Sequence, residues 1–267
     1  MANRIDATFA ALRSSGGKAL MPFITAGDPD LQTTAALVRD LAARGAALIE
    51  LGLPYSDPVA DGPTIQASYT RALGGGARLD DIFRMVRELR ADCDVPITAM
   101  GSFSLVTRRG VTRFLDDARD AGIDGVIIPD LSLEEYDDVA AAADKRDLAH
   151  VMLVAPTSPW ERAARLAERS TGFLYYISVT GITGERNELP LELVDRVARL
   201  REATRVPICV GFGISKPEHV RQVTAVADGA IVGSAIVRRI GDLAGEDRGR
   251  IVAAIGAYVS DLVAALP

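Results

Sequence analysis

Residues 31–52 read LQTTAALVRDLAARGAALIELG, and this stretch decides the fold. Residues 31–44 are amphipathic, with Leu31, Ala35, Val38 and Leu41 recurring at helical spacing. Gly45 stands where such a helix would end. Residues 47–51 then form a nearly unbroken apolar run without period-two alternation. A strand covered on one side and facing a packed interior on the other reads this way. Helix followed by doubly buried strand is half of a repeating βα unit.

Working outward, the same alternation fills the chain. Apolar runs at 20–24, 47–51, 97–100, 125–128, 150–154, 173–177, 208–211 and 230–232 predict eight strands. Helical patterns are predicted at 31–44, 80–90, 109–121, 134–146, 159–169, 191–203, 217–226 and 245–265. Ser158-Pro159 predicts a capping residue followed by proline at the first helical position. The expected fold class is α/β, a (β/α)8 TIM barrel forming one domain over residues 1–267. An open doubly wound sheet is the alternative, and length and strand count favour the barrel.

The formal net charge is −6 and no basic run stands out, so no nucleic-acid partner is expected. No apolar run approaches the roughly 18 residues of a membrane span, so no membrane partner is expected. The start lacks a basic-then-apolar export pattern. Cys93 and Cys209 form no CxxC pair, which fits a reducing cytoplasm, and Cys209 reads as an inert core thiol.

Two connections, 52–63 and 179–187, are long and rich in Gly, Pro, Ser or Thr. Both leave the C-terminal ends of strands, where barrel enzymes carry their chemistry. Glu50 lies inside the apolar run 47–51. Burial there would raise its pKa toward neutrality, as a general acid or base needs. Asp61 precedes Gly62 at the far end of the same loop, so both carboxylates can approach one substrate. Asp57, before Pro58, reads as a turn residue. Gly213, in Gly211-Phe212-Gly213-Ile214-Ser215, and Gly233-Ser234 follow strands seven and eight, where barrels bind phosphate on backbone N–H groups and a helix N-terminus. Thr183-Gly184 on the sixth loop would complete that ring. Tyr175 and Tyr176 are adjacent in strand six and must point opposite ways. Phe23 and Phe212 offer apolar walls for a planar substrate.

The two histidines, His150 and His219, do not make a His-rich metal site, so no metal is expected. The lysines, Lys18, Lys145 and Lys216, lie off the strands, which speaks against Schiff-base catalysis. The chemistry left is metal-free acid–base work on a phosphorylated substrate.

Residues 51–66, LGLPYSDPVADGPTIQ, closely resemble the signature of the tryptophan synthase α subunit family. Met21–Pro29, Gly181-Ile182-Thr183-Gly184, Val210–Ser215 and Gly233-Ser234-Ala235 are similar to the same family, in order along nearly the whole chain. The resemblance implies a lyase of aromatic amino-acid biosynthesis. Its substrate would be indole-3-glycerol phosphate, split by retro-aldol cleavage into indole and glyceraldehyde 3-phosphate. It implies Glu50 as general acid/base and Asp61 on the indole N–H, with Tyr175 as an active-site tyrosine. Phe23 and Phe212 would be apolar walls, and Gly184, Gly213, Gly233 and Ser234 would hold phosphate. Thr183 would sit on a lid and touch Asp61.

The family partners a β subunit as α2β2. Two segments that face that subunit depart from the family pattern. Met100-Gly101-Ser102-Phe103-Ser104-Leu105 stands where the family has Met-x-Tyr-x-Asn-Pro, and Asp130-Leu131-Ser132 where it has Asp-Leu-Pro. Ser102-Phe103-Ser104 and Ser132 therefore raise the alternative of a free-standing indole-3-glycerol-phosphate lyase feeding a specialised pathway. Another phosphate-binding barrel isomerase would place its carboxylates or a lysine on other strands. A non-catalytic allosteric barrel would show erosion at Glu50, Asp61 or the phosphate loops.

Overall fold

The computed structural model describes residues 3–58, 61–177, 192–211 and 213–267, with backbone only at 133–134. Eight parallel strands run β1 (Ala19–Thr25), β2 (Ile49–Gly52), β3 (Ile97–Met100), β4 (Gly125–Ile127), β5 (Ala149–Val154), β6 (Leu174–Ile177), β7 (Ile208–Gly211) and β8 (Gly229–Val232). They close in sequence order, because β8 pairs with β1 at Ala19↔Gly229 through Pro22↔Val232. That pairing removes both sheet edges and excludes the open doubly wound sheet. The barrel expected from the alternating pattern is the fold.

Strand side chains alternate between two cores. Leu20, Ile24, Ile49, Leu51, Ile97 and Ala99 point outward and pack beneath the helices. Met21, Leu48, Ile127, Val151, Phe173, Tyr175, Cys209 and Ile231 point inward and fill the barrel. This two-sided burial is why the strands read as continuous apolar runs.

Helix α1 (Arg4–Ser15) was not foreseen, because its apolar face is narrow. It inserts Ile5 and Phe9 into the interior cluster beside Phe173 and closes the barrel at the N-terminal ends of the strands. Asn3 caps it and its Nδ2 donates to the Asp124 and Asp147 carbonyls.

Outside the strands lie α2 (Leu31–Ala43), α3 (Pro63–Gly74), α4 (Leu79–Leu89), α5 (Phe103–Arg109), α6 (Val111–Ala121), α7 (Leu133–Asp144), α8 (Trp160–Arg169), α9 (Leu193–Ala203), α10 (Pro217–Thr224), α11 (Ser234–Asp242) and α12 (Arg248–Val263). Three sequence expectations need correction. The helix expected over 109–121 is α6, but the short α5 ahead of it was not foreseen, and Gly110 at φ +88 separates the two. Ser158 does not cap α8: Pro159 occupies the N-cap, and the Ser158 hydroxyl instead accepts from Ala155 N–H. Helix α3 was read only as the end of a loop. It starts at Pro63, a residue whose fixed φ suits a first helical position.

Candidate active site

Glu50 faces into the barrel, since Ile49 and Leu51 on either side of it belong to the outer core. It lies in β2 between Phe23 on β1 and Thr98 on β3, its register partners. Only 1% of the residue is exposed, and its Oε2 atom has no hydrogen-bond partner among the described residues. A carboxylate cannot be left charged there cheaply. Burial first, and the nearby Asp61 charge second, push its pKa up to about 8. The sequence reading expected a partly buried group; the barrel buries it completely, which makes the acid form dominant at neutral pH.

Asp61 enters from the other end of the loop. Its backbone is held by a bond from its N–H to the Pro58 carbonyl at 3.1 Å and by Gln66 Nε2 on its own carbonyl at 2.8 Å. Gly62 and Pro63 then start α3. Burial and the Asp130 carboxylate raise Asp61 to about 6. The two carboxyls therefore titrate on opposite sides of neutrality, and near pH 7 Glu50 holds its proton while Asp61 is largely ionised.

One cavity at the C-terminal mouth of the barrel brings together Phe23, Glu50, Asp61, Tyr175, Gly213, Gly233 and Ser234. Seven of the residues singled out from the sequence thus meet in one space. Thr183, Gly184 and Phe212 lie outside the described residues. Tyr175 points into the barrel and Tyr176 into the outer core, as their adjacency required. Asp57 accepts from the Ser56 hydroxyl at 2.6 Å and does not line this cavity, in keeping with a turn role.

Sequence reading missed the apolar lining: Ile65, Met100, Ile214 and Ile231. Met100 and Ile231 could have been found by strand alternation. Ile65 required knowing that α3 begins at Pro63 and turns that residue toward the mouth. Tyr69, one turn further along α3, is also buried close to both carboxyls, which raise its pKa beyond what burial does.

The opposite wall is the start of α11. Gly233 is its N-cap, with no side chain bonded to the helix's first amides. The Ile236 and Val237 N–H groups both turn back to the Gly233 carbonyl. Ser234 and Ala235 line the cavity at the positive end of that helix, a setting that favours an anion. Beside it, Ile214 and Ser215 are buried, with Tyr258 of α12 donating to the Ser215 carbonyl at 2.8 Å.

A second cavity adjoins the first and shares Asp61 and Met100 with it. Asp130 lines it and accepts from the Ser102 hydroxyl and from Phe103 N–H, both at 2.7 Å. These bonds tie the loop after β3 to the loop after β4.

Fold and site together define a (β/α)8-barrel enzyme with paired carboxyl groups facing an anion-accepting helix terminus. Known proteins narrow that class. The family model for the tryptophan synthase alpha chain matches residues 9–265. The tryptophan synthase alpha chain of Synechocystis sp. is 50% identical over 241 residues, covering 90% of this chain and 91% of that one. That of Geobacter sulfurreducens is 48% identical over 251 residues, covering 94% and 95%. Tryptophan synthase subunit alpha from Legionella pneumophila str. Paris superimposes with a TM-score of 0.87 at 36% identity, over 99% of this chain and 98% of that one. The chain belongs to the tryptophan synthase alpha chain family. It is a lyase of the kind that cleaves indole-3-glycerol phosphate to indole and glyceraldehyde 3-phosphate.

Proposed function

We propose that Glu50, Asp61 and Tyr175 carry this cleavage, with the phosphate seated at Gly213, Gly233 and Ser234. The observation behind the assignment is the shared cavity, in which a proton-holding Glu50 faces an ionisable Asp61 across from the open start of α11. Phosphate at α11 aims the glycerol chain back toward β2, and the indole ring lies among Phe23, Ile65, Met100 and Tyr175.

Glu50 gives its proton to indole C3. The ring becomes an indolenine-like cation, and Asp61, accepting the ring N–H, stabilises that charge where it develops. Loss of the proton from the hydroxyl on the carbon attached to C3 forms the aldehyde. The carbon–carbon bond breaks, its electron pair returns to the ring, and Glu50 as carboxylate is the base that recovers a proton. Tyr175, held neutral by burial, packs against the ring. Gly184, Thr183 and Phe212 join this site by family resemblance, the first at the phosphate, the second on Asp61 and the third as a wall.

Replacing Glu50 by Gln tests the assignment. Turnover is expected to be nearly abolished while phosphate binding survives. Activity retained within about tenfold, roughly 1.4 kcal/mol of barrier, would overturn it.

A tryptophan synthase β subunit is the proposed partner. The finer proposal is that coupling to it is altered. Ser102 and Asp130 bond to one another in the segments that depart from the family pattern, and this knits the two loops together within the chain. Indole release by the purified chain, with and without a β subunit, decides the matter. Weak activity alone that rises strongly with the partner would sink the free-standing reading.

A further inference from the structure

Inside the barrel, next to Glu50, a second polar group is sealed in without a partner. Thr98 is fully buried in β3, and its hydroxyl, like Glu50 Oε2, makes no hydrogen bond among the described residues. The two residues are register partners on adjoining strands, which run about 4.8 Å apart. Both face inward: Ile97 and Ala99, on either side of Thr98, belong to the outer core, and Met100, two residues on, lines the cavity. The interior around them is apolar, with Leu48, Met21 and Ile127. Packing alone would be served by valine, which has the same shape and leaves no hydroxyl to desolvate.

We propose that Thr98 is a positioning residue for Glu50, its hydroxyl engaging Glu50 Oε2 as the carboxyl turns over in the reaction. The inference rests on the reading of Glu50 as the acid/base. A threonine hydroxyl both accepts and donates. Unbonded at rest, it donates to the carboxylate once the Glu50 proton has gone to the substrate. The bond also orients Oε2, leaving the other carboxyl oxygen to face the substrate.

The other ionisable groups around Glu50 are Asp61 from the loop after β2, Tyr69 from α3, Tyr175 from β6 and Cys209 from β7. All are acids, so any of them that ionises disfavours a second negative charge on Glu50. Thr98 acts the other way, because a hydrogen bond to an ionised group is stronger than one to its neutral form. It therefore holds the Glu50 pKa lower than burial alone would set it.

The test is the pH dependence of kcat for Thr98→Val and Thr98→Ser beside the parent chain and Glu50→Gln. In Thr98→Val the alkaline limb, where Glu50 loses its proton, is expected to move up by about half a unit to one unit. Its kcat at neutral pH is expected to fall about tenfold with KM little changed, as for lost orientation of a reacting group. Thr98→Ser, which keeps the hydroxyl, is expected to restore both. An unmoved limb in Thr98→Val, or equal loss in the Ser and Val variants, would overturn the role of Thr98. If Glu50→Gln stays active, the acid/base assignment itself fails, and the two failures are told apart by that variant.

Discussion

Tyr175 and Gly211 share one space: a Cβ on Gly211 would lie 2.5 Å from the Tyr175 hydroxyl and 2.6 Å from its Cε2. They sit on adjoining strands β6 and β7, with Tyr175 level with Cys209, so the ring leans up the barrel over the end of β7. Gly211 is thus the floor on which the Tyr175 ring lies. Gly211→Ala is expected to push Tyr175 into the cavity and lower kcat/KM by tenfold or more, about 1.4 kcal/mol of transition-state binding. Steady-state kinetics check it. If Gly211→Ala and Tyr175→Phe lower activity by independent factors in the double variant, the two are not coupled through this contact.

Activity should follow a bell between the two carboxyls. The proposed cycle starts with Glu50 protonated and Asp61 ionised. Rate is therefore expected to fall below about pH 6, where Asp61 takes a proton, and above about pH 8, where Glu50 loses one. The limbs belong to a mutually interacting pair, so kcat/KM reports their joint titration. A profile flat from pH 5 to 9 would contradict the assignment.

The same burial makes Glu50 a cost to folding at high pH. Its folded pKa is raised above the unfolded value, so the folded state binds the proton more tightly. That contribution is fully present below about pH 4.5 and is lost as pH rises through about 8. Glu50→Gln removes the titration. The variant is expected to be more stable than the parent by a few kcal/mol at pH 9, with the gap narrowing as the pH falls. Denaturant unfolding at several pH values measures it. A gap that does not change with pH would show that Glu50 is not desolvated in solution.

Arg71 holds α3, and with it Asp61 and Ile65, against the barrel. Its guanidinium donates to both oxygens of Asp28, at 2.8 and 2.7 Å, and Asp28 is 1% exposed. Thr25 and Ser68 add a buried hydroxyl pair at 2.7 Å between β1 and α3. Arg71→Met would strand the Asp28 charge. Because the arginine is itself partly solvated, a loss of about 2–3 kcal/mol is expected. Asp28→Asn in the same chain should recover part of it. Urea unfolding of the two single variants and the double variant gives the coupling.

What the sequence determined by itself was the repeat and its handedness of burial. Continuous apolar runs separated by amphipathic helices leave few arrangements, and strand boundaries came within two residues because a doubly buried strand cannot hide its pattern. It also singled out two carboxyls that line one cavity, since Glu50 interrupts such a run and Asp61 ends an unusually long loop after it. The breaks in the pattern were less legible. The short α5 ending at Gly110 and Ser158 turning away from α8 are local choices that amphipathicity does not report.

Only the closed barrel decided the rest. Helix α1 plugs the interior through contacts with residues more than a hundred positions away, which no local signal carries. The depth of Glu50, the lean of Tyr175 over Gly211 and the partnerless hydroxyl of Thr98 all arise from register between strands. That register is set by closure of β8 on β1 rather than by any one segment. A chain pattern states which face a side chain takes; it is the neighbouring strand that sets the dielectric around it, and with it the pKa on which the chemistry depends.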